Sequence, residues 1–226
     1  MLRDDYLGKN GKGFREVADD IKAAIASGEL KAGQRLVEAQ LCELFGVKRN
    51  MIREALHKLE HEGFVKITPH VGAVVVGFTR NDIEQIYDLL SVLDGLAVRL
   101  ATPFITGVQL ENLETLLERM EAADKPSLFA RYNDDFHNLL CNYSENDRLV
   151  GLTENLRLGI KIIGWRSFYV PGQIAAAKSE HREILQAMEE NKPLLAERIM
   201  RDHIIDAKNR LIIYIQKNDA GVNRDI

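Results

Sequence analysis

The sequence predicts a mostly α-helical protein in two parts: an N-terminal winged helix-turn-helix, made of three helices plus a β-hairpin, and then an all-α antiparallel helical bundle. Three observations predict it. Apolar residues recur at helical spacing in three short segments before residue 62, the period falls to about two between Phe64 and Val76, and helical spacing returns from Thr79 to about Lys217.

Each element has its own justification. Phe14, Val17, Ile21, Ala24 and Ile25 make one helical face that stops at Ser27-Gly28. Gly33 opens a turn, and Leu36, Leu41, Leu44 and Phe45 mark a short second helix closing at Gly46. A third helix over Arg49 to His61 carries Ile52, Ala55, Leu56 and Leu59 on its apolar face. Phe64, Val65 and Ile67 form one strand and Ala73 to Val76 another, joined through Thr68-Pro69-His70-Val71-Gly72. Beyond the Gly77-Phe78-Thr79 junction, helices are expected at about 80–102, 106–123, 126–143, 146–168, 172–190 and 193–217. Thr79 with Asp82 and Thr106 with Gln109 have capping-box spacing, and Pro171 and Pro193 sit where first-turn prolines belong. The expected divisions are a flexible N-terminus at 1–13, a DNA-binding domain at 14–77, a six-helix domain at 78–218 and a tail at 219–226.

Composition narrows the class. The 226 residues are 46% hydrophobic and 28% charged, which excludes disordered and fibrous architectures. No apolar run approaches the ~18 residues of a membrane span, and Met1 to Gly13 is too charged and Gly-rich for a secretion leader, so no membrane partner and a cytoplasmic location are expected. Cys42 and Cys141 are far apart, with no CxxC, and are read as reduced core residues. A net charge of -4 on average disfavours nucleic acid, but the charge is unevenly distributed. Residues 1–78 hold 12 basic and 11 acidic side chains, a balance of +1, which leaves -5 for the rest.

The positive charge that matters is local. Lys48, Arg49, Asn50 and Arg53 crowd the first turns of the third helix, with no acid before Glu54. A recognition helix presents that end to the major groove, where Arg forks onto guanine, Asn pairs with adenine and Lys meets phosphate. The run Gly33 to Glu38, then Val47 to Leu56, then Glu62-Gly63-Phe64-Val65 and Gly72, closely resembles the DNA-binding domain of the GntR family of bacterial transcription regulators. The resemblance covers about residues 14–77. It implies that Arg49 and Arg53 contact operator DNA, with Lys48, Asn50, His70 and Gly72 as further contacts. Lys48 stands where the family usually has Ser, and Ala39 where a further DNA-contacting Arg is common.

In the second part, Asn133 and His137 share a helix face one turn apart. His181 and His203 are each 11 residues from Lys192, so in an antiparallel hairpin both lie ~16 Å from the turn and can face each other. Two such histidines could share a hydrogen bond. They could also join His137 and Asn133 as a metal set, three imidazoles and an oxygen donor suiting Zn²⁺ or Ni²⁺. The segments Val92 to Ala101, Asn133 to His137, Ser144 to Asn146, Glu180 to Leu185 and Ala196 to His203 resemble the FCD domain of the FadR subfamily, in its six-helix, VanR-like form. In metal-binding members the resemblance implies D-x-x-x-H plus two later histidines, which match positions 133, 137, 181 and 203. Asn133 replaces the Asp and is a neutral, weaker donor. Leu90 stands where many relatives carry an Arg that meets an acidic ligand, leaving Arg99, Arg157 and Lys161 as alternatives. His57 and His61, the other i,i+4 pair, are read as solvated or phosphate-facing.

The expected function is a ligand-responsive transcription regulator, a repressor that binds a pseudopalindromic operator as a homodimer. A small carboxylate effector, held with or without a divalent metal in the helical domain, controls it. A metal-dependent hydrolase is the other class considered, and the chain has no HExxH helix, nucleophile elbow or phosphate loop to support it.

Overall fold

A computed structural model of the chain describes residues 13–27 and 29–218, apart from the side chains of 26, 27, 158–166 and 218. The expected segments before residue 13 and after 218 lie outside that description, as does the side chain of Lys161. The described residues form two compact units that meet in sequence between Phe78 and Thr79.

The first unit begins with α1, Phe14–Ser27, followed by β1, Arg35–Leu36, α2, Glu38–Phe45, and α3, Arg49–His61; β2, Val65–Thr68, and β3, Gly72–Val75, complete it. Its core is the α1–α3 contact. Val17, Ala18 and Ile21 of α1 and Met51, Ile52, Ala55 and Leu59 of α3 are fully buried, and a Leu-to-Ala truncation in such a core costs about 2–5 kcal/mol. Gly46 ends α2 in the left-handed region (φ 66°), and its N–H bonds back to the Cys42 carbonyl. A residue with a Cβ is disfavoured there, so the glycine fixes the tight turn into α3.

The wing differs from a simple hairpin. It is a three-stranded antiparallel sheet in the order β1-β3-β2, with Leu36 opposite Ala73 and Val65 opposite Val75. Leu36 therefore belongs to a strand and not to the second helix. The turn at Gly33 (φ 74°) brings the segment alongside β3, where two extended residues pair their backbone and Leu36 is buried. Cys42 also departs from expectation. It is half-exposed, because the single buried residue of α2 is its neighbour Leu41 and one helical step turns Cys42 away.

The second unit holds α4, Arg80–Ala101, a 3₁₀ turn, Thr102–Phe104, and α5, Gly107–Ala122. It continues with α6, Pro126–Tyr143, α7, Asp147–Ser167, α8, Gln173–Glu189, and α9, Pro193–Asn218. Both capping boxes form, Thr79 with Asp82 on α4 and Thr106 with Gln109 on α5. Pro126 and Pro193 open their helices, but Pro171 lies outside α8. Gly172, at φ 82°, is the residue that caps α8, so the proline precedes the cap. The long α4 packs on α9 and α6, α8 on α9 and α5, and α5 on α6. The approach of α4 to α9 requires Gly95, where a Cβ would sit 2.7 Å from Cγ of Arg201. No helix among the described residues is long and apolar enough to cross a membrane.

Candidate functional site

Two clusters carry polar chemistry that the folding of the units does not explain, an exposed one in the first unit and a buried one in the second. In the first, α3 turns Met51, Ile52, Ala55, Leu56 and Leu59 inward, which leaves Lys48, Arg49, Asn50 and Arg53 exposed at its N-terminal end. Lys48 is the extended residue before the helix, and Arg53 follows Arg49 by one turn on the same face. The first turn of α3 has no acid of its own. One comes from α2: Glu38 accepts from Nε of Arg49 and, at 2.9 Å, from Nε of Arg53. These two bonds hold the Glu38 carboxyl below the usual carboxylate range.

His70 and Gly72 occupy the tip of the wing. His70 is exposed and left-handed (φ 64°), and Gly72 has φ 90°. A basic residue that sequence spacing missed is also here. The guanidinium of Arg35, on β1, lies about 4 Å from where a Cβ on Gly72 would be. Its place beside the wing comes only from strand pairing, Arg35 opposite Val74 and Leu36 opposite Ala73. Ala39 and Gln40 are exposed on α2. His57 and His61 lie on the exposed face of α3, and His57 Nδ1 is 3.7 Å from Glu60.

In the second unit, His137 of α6, His181 of α8 and His203 of α9 converge. Their side chains are buried, and one ring nitrogen from each lies within 4.8 Å of the others. The ring centroids are 4.7 Å apart for His181 and His203, 5.3 Å for His137 and His181, and 5.4 Å for His137 and His203. Phe136 forms an apolar wall, its ring centroid 4.6 Å from that of His181. Asn133 stands one helical turn before His137, and its buried Oδ1 has no hydrogen-bond partner among the described residues.

Two of the imidazoles, those of His137 and His181, are held neutral. Burial pushes the His137 pKa down to about 4, and burial together with the two neighbouring imidazoles takes His181 well below its ordinary value. Both ring nitrogens of His181 are buried and lack a hydrogen-bond partner among the described residues. A buried imidazole with neither nitrogen engaged is costly, and coordination of an ion is one way to satisfy it. Three imidazoles and one amide oxygen are a donor set that can hold a transition-metal ion.

Two carboxylates support the histidines, and neither was assigned that role from sequence. Glu180 accepts from Nδ1 of His203 at 2.6 Å and from Arg210 at 3.0 Å, and Arg210 also donates to Gln173. Burial alone would raise the Glu180 pKa, but His203 and Arg210 bring it below the ordinary value. Glu180 does point away from His181, as adjacent helical positions must; it reaches across to the next helix instead. The clue was its height in the α8–α9 hairpin, nearly that of His203.

Asp94 of α4 is the second. It is buried, accepts from the Arg157 guanidinium, and lies 3.2 Å from Nδ1 of His137, a close polar contact not aligned as a hydrogen bond. Cys141 Sγ is 3.8 Å from its other oxygen. Burial disfavours the Asp94 anion, yet Arg157 and His137 hold its pKa down at about 2. Of the basic residues considered as carboxylate partners, Arg157 thus reaches the polar centre. Arg99 does not: its guanidinium pairs with Glu197 at 3.0 Å, in a half-exposed contact between α4 and α9.

Known proteins resemble both units of the chain. Residues 14–75 match the family model for bacterial regulatory proteins of the GntR family, and residues 85–206 match that of the FCD domain. The HTH-type transcriptional regulator YdhC of Bacillus subtilis strain 168 is 29% identical over 205 residues, covering 88% of this chain and 92% of that protein. A probable D-xylose utilization operon transcriptional repressor of Paenarthrobacter nicotinovorans is 28% identical over 193 residues, covering 84% of this chain and 84% of that protein. A crystal structure of a GntR-family transcriptional regulator from Pseudomonas syringae pv. tomato DC3000 superposes with a TM-score of 0.55 at 25% identity, covering 92% of this chain and 88% of that one. Both domains and these relatives are those of DNA-binding transcription regulators and not of enzymes. The chain belongs to the GntR family of bacterial regulatory proteins, with that family's winged helix-turn-helix followed by an FCD domain.

Proposed function

We propose that this regulator is a metabolite-controlled repressor that binds a pseudopalindromic operator as a homodimer in the cytoplasm. Residues 14–77 read the DNA, and residues 78–218 bind the effector and join two copies. The observation that carries the DNA reading is the end of α3, where Lys48, Arg49, Asn50 and Arg53 are all exposed and the first turn of the helix has no acid of its own. Arg49 and Arg53 read guanine edges, Asn50 an adenine, and Lys48 a phosphate. His70, Gly72 and the neighbouring Arg35 bring the wing to the adjacent backbone. One recognition helix spans only a few base pairs, and a twofold pair of sites supplies the specificity that one lacks. Exposed Leu89 and Val92, one turn apart on α4, leave apolar area for the partner copy. The relative from Paenarthrobacter is named a probable repressor, which supports that sign of regulation.

In the bundle, His137, His181, His203 and Asn133 hold a divalent metal, zinc or nickel, beside the Asp94–Arg157 pair. When bound, such an ion supplies a positive centre with coordination positions open to oxygen donors. Because Asn133 is neutral, the site keeps one more positive charge than one with an aspartate there, and a small carboxylate is the effector that completes it. Binding at this centre need shift the operator affinity by only a few kcal/mol to act as a switch.

The test is selection of duplexes from random DNA by the purified protein, followed by titration of metal and organic acids. A twofold-symmetric consensus, released by one of the acids, is the expected result. The protein's failure to retain any sequence at moderate salt would sink the operator reading. Elemental analysis finding no zinc or nickel, even after either is added, would leave an effector bundle that works without metal.

A further inference from the structure

The pairing of Glu38 with two exposed arginines is not needed for folding. Both guanidinium groups lie on the solvent face of α3, at 68% and 57% side-chain exposure, and surface ion pairs of this kind add little stability. A carboxylate is also an odd neighbour for a surface that meets phosphates. Glu38 opens α2, where a helix N-terminus favours an anion, and its carboxyl is partly sheltered at 26% exposure. It bonds both arginines through Nε alone.

Which nitrogen is engaged decides what is left. A guanidinium has five N–H groups in a fixed plane, and bidentate readout of guanine uses a pair of them. With Nε engaged by Glu38, the terminal Nη pair of each arginine stays available for O6 and N7. The same bond fixes the plane in which that pair lies, removing rotamer freedom that each arginine would otherwise lose on binding.

On the reading that Arg49 and Arg53 meet base edges, we infer that Glu38 is a specificity-determining positioning residue: it orients both recognition arginines by Nε and, as an anion, opposes their use as unselective phosphate clamps. Glu38 touches no base. Its effect is to make correct base contacts cheaper in entropy and non-specific contacts less favourable in charge.

The experiment compares wild type, Glu38→Gln and Glu38→Asp on two duplexes, the consensus selected by the wild-type protein and a scrambled control, by fluorescence anisotropy across a salt series. Glu38→Gln removes the charge, and Glu38→Asp keeps it on a shorter arm that cannot span both arginines. Both should lower the consensus-to-scrambled affinity ratio by about fivefold or more, within the range of one good base contact. Glu38→Gln should also bind the scrambled duplex at least as tightly as wild type. Thermal unfolding midpoints unchanged by either substitution exclude a folding cause. In an Arg49→Ala/Arg53→Ala background, Glu38→Gln should leave the ratio where it was. A ratio within about twofold of wild type for both single variants overturns the inference. A wild-type protein that prefers no sequence overturns instead the base-reading role of α3, and this inference with it.

Discussion

Nδ1 of His203 donates to a carboxylate oxygen of Glu180 at 2.6 Å, across the hairpin between α8 and α9. That bond fixes the plane of the ring with Nδ1 engaged, so Nε2 is the nitrogen left for a metal ion. Arg210 holds Glu180 in place from the next turns of α9. Histidines that ligate metals are commonly oriented in this way, and losing the partner typically weakens metal binding by about 10–100-fold.

Glu180→Gln should therefore bind zinc more weakly than wild type by a factor of that order. His181→Ala should bind it more weakly still, since His181 has no polar partner among the described residues to compensate. Calorimetric titration of chelator-treated protein measures both. Equal zinc affinity in all three proteins would argue that the cluster is not a metal site. In wild type, zinc at about 100 times its dissociation constant should stabilise the fold by about 2.7 kcal/mol, seen as a rise in the unfolding midpoint.

Acid should destabilise the metal-free protein above the range where carboxylates titrate. The folded-state pKa of His137 is lowered to about 4 and that of His181 is lowered well below 6.5, so the unfolded chain binds more protons than the folded one. Stability is then complete above pH ~6.5 and falls as the pH drops towards 4, with His137 alone accounting for roughly 3 kcal/mol at the low end. Asp94, held at about 2, adds its own loss only below pH ~4. Denaturant titrations of the apoprotein between pH 7 and 5 report the slope. His137→Gln should flatten it, and an unchanged slope in that variant would contradict the assignment.

Breaking the Asp94–Arg157 pair from one side should cost much more than removing it whole. Asp94→Ala leaves a largely buried guanidinium without its carboxylate, a loss of about 3–5 kcal/mol, and Asp94→Leu/Arg157→Met should recover most of it. Urea unfolding gives both numbers. If the double variant is as unstable as the single one, the pair is not an isolated electrostatic unit.

On the DNA side, substitutions at α3 should separate by kind. Arg53→Ala should cost about 1–3 kcal/mol on the selected consensus and little on scrambled DNA. Lys48→Ala should weaken both about equally and lower the salt slope by about 0.9. Filter binding at several salt concentrations distinguishes the two patterns.

Much of this protein was legible as pattern. The helices after Thr79 follow from a helical apolar period broken by Thr79/Asp82 and Thr106/Gln109, because capping is a local interaction between residues three apart. The facing of His181 and His203 is suggested by spacing, since positions equidistant from Lys192 lie at one height in an antiparallel hairpin, and the FCD resemblance implies Asn133 and His137 beside them. The exceptions are pairings between distant segments. Leu36 reads as helical until β3 is alongside it, and Arg35 reads as loop for the same reason. Glu180 and Asp94 look like ordinary helical acids; one is matched to His203 and Arg210 and the other to Arg157 and His137 only when the helices pack. Glu38 likewise gains its role from α2 lying beside α3. Sequence alone determined the periodicities, caps and donor types, which act over one or two turns. The tertiary structure decided which charges meet, because burial and ion pairing depend on residues that adjoin in space and not in the chain.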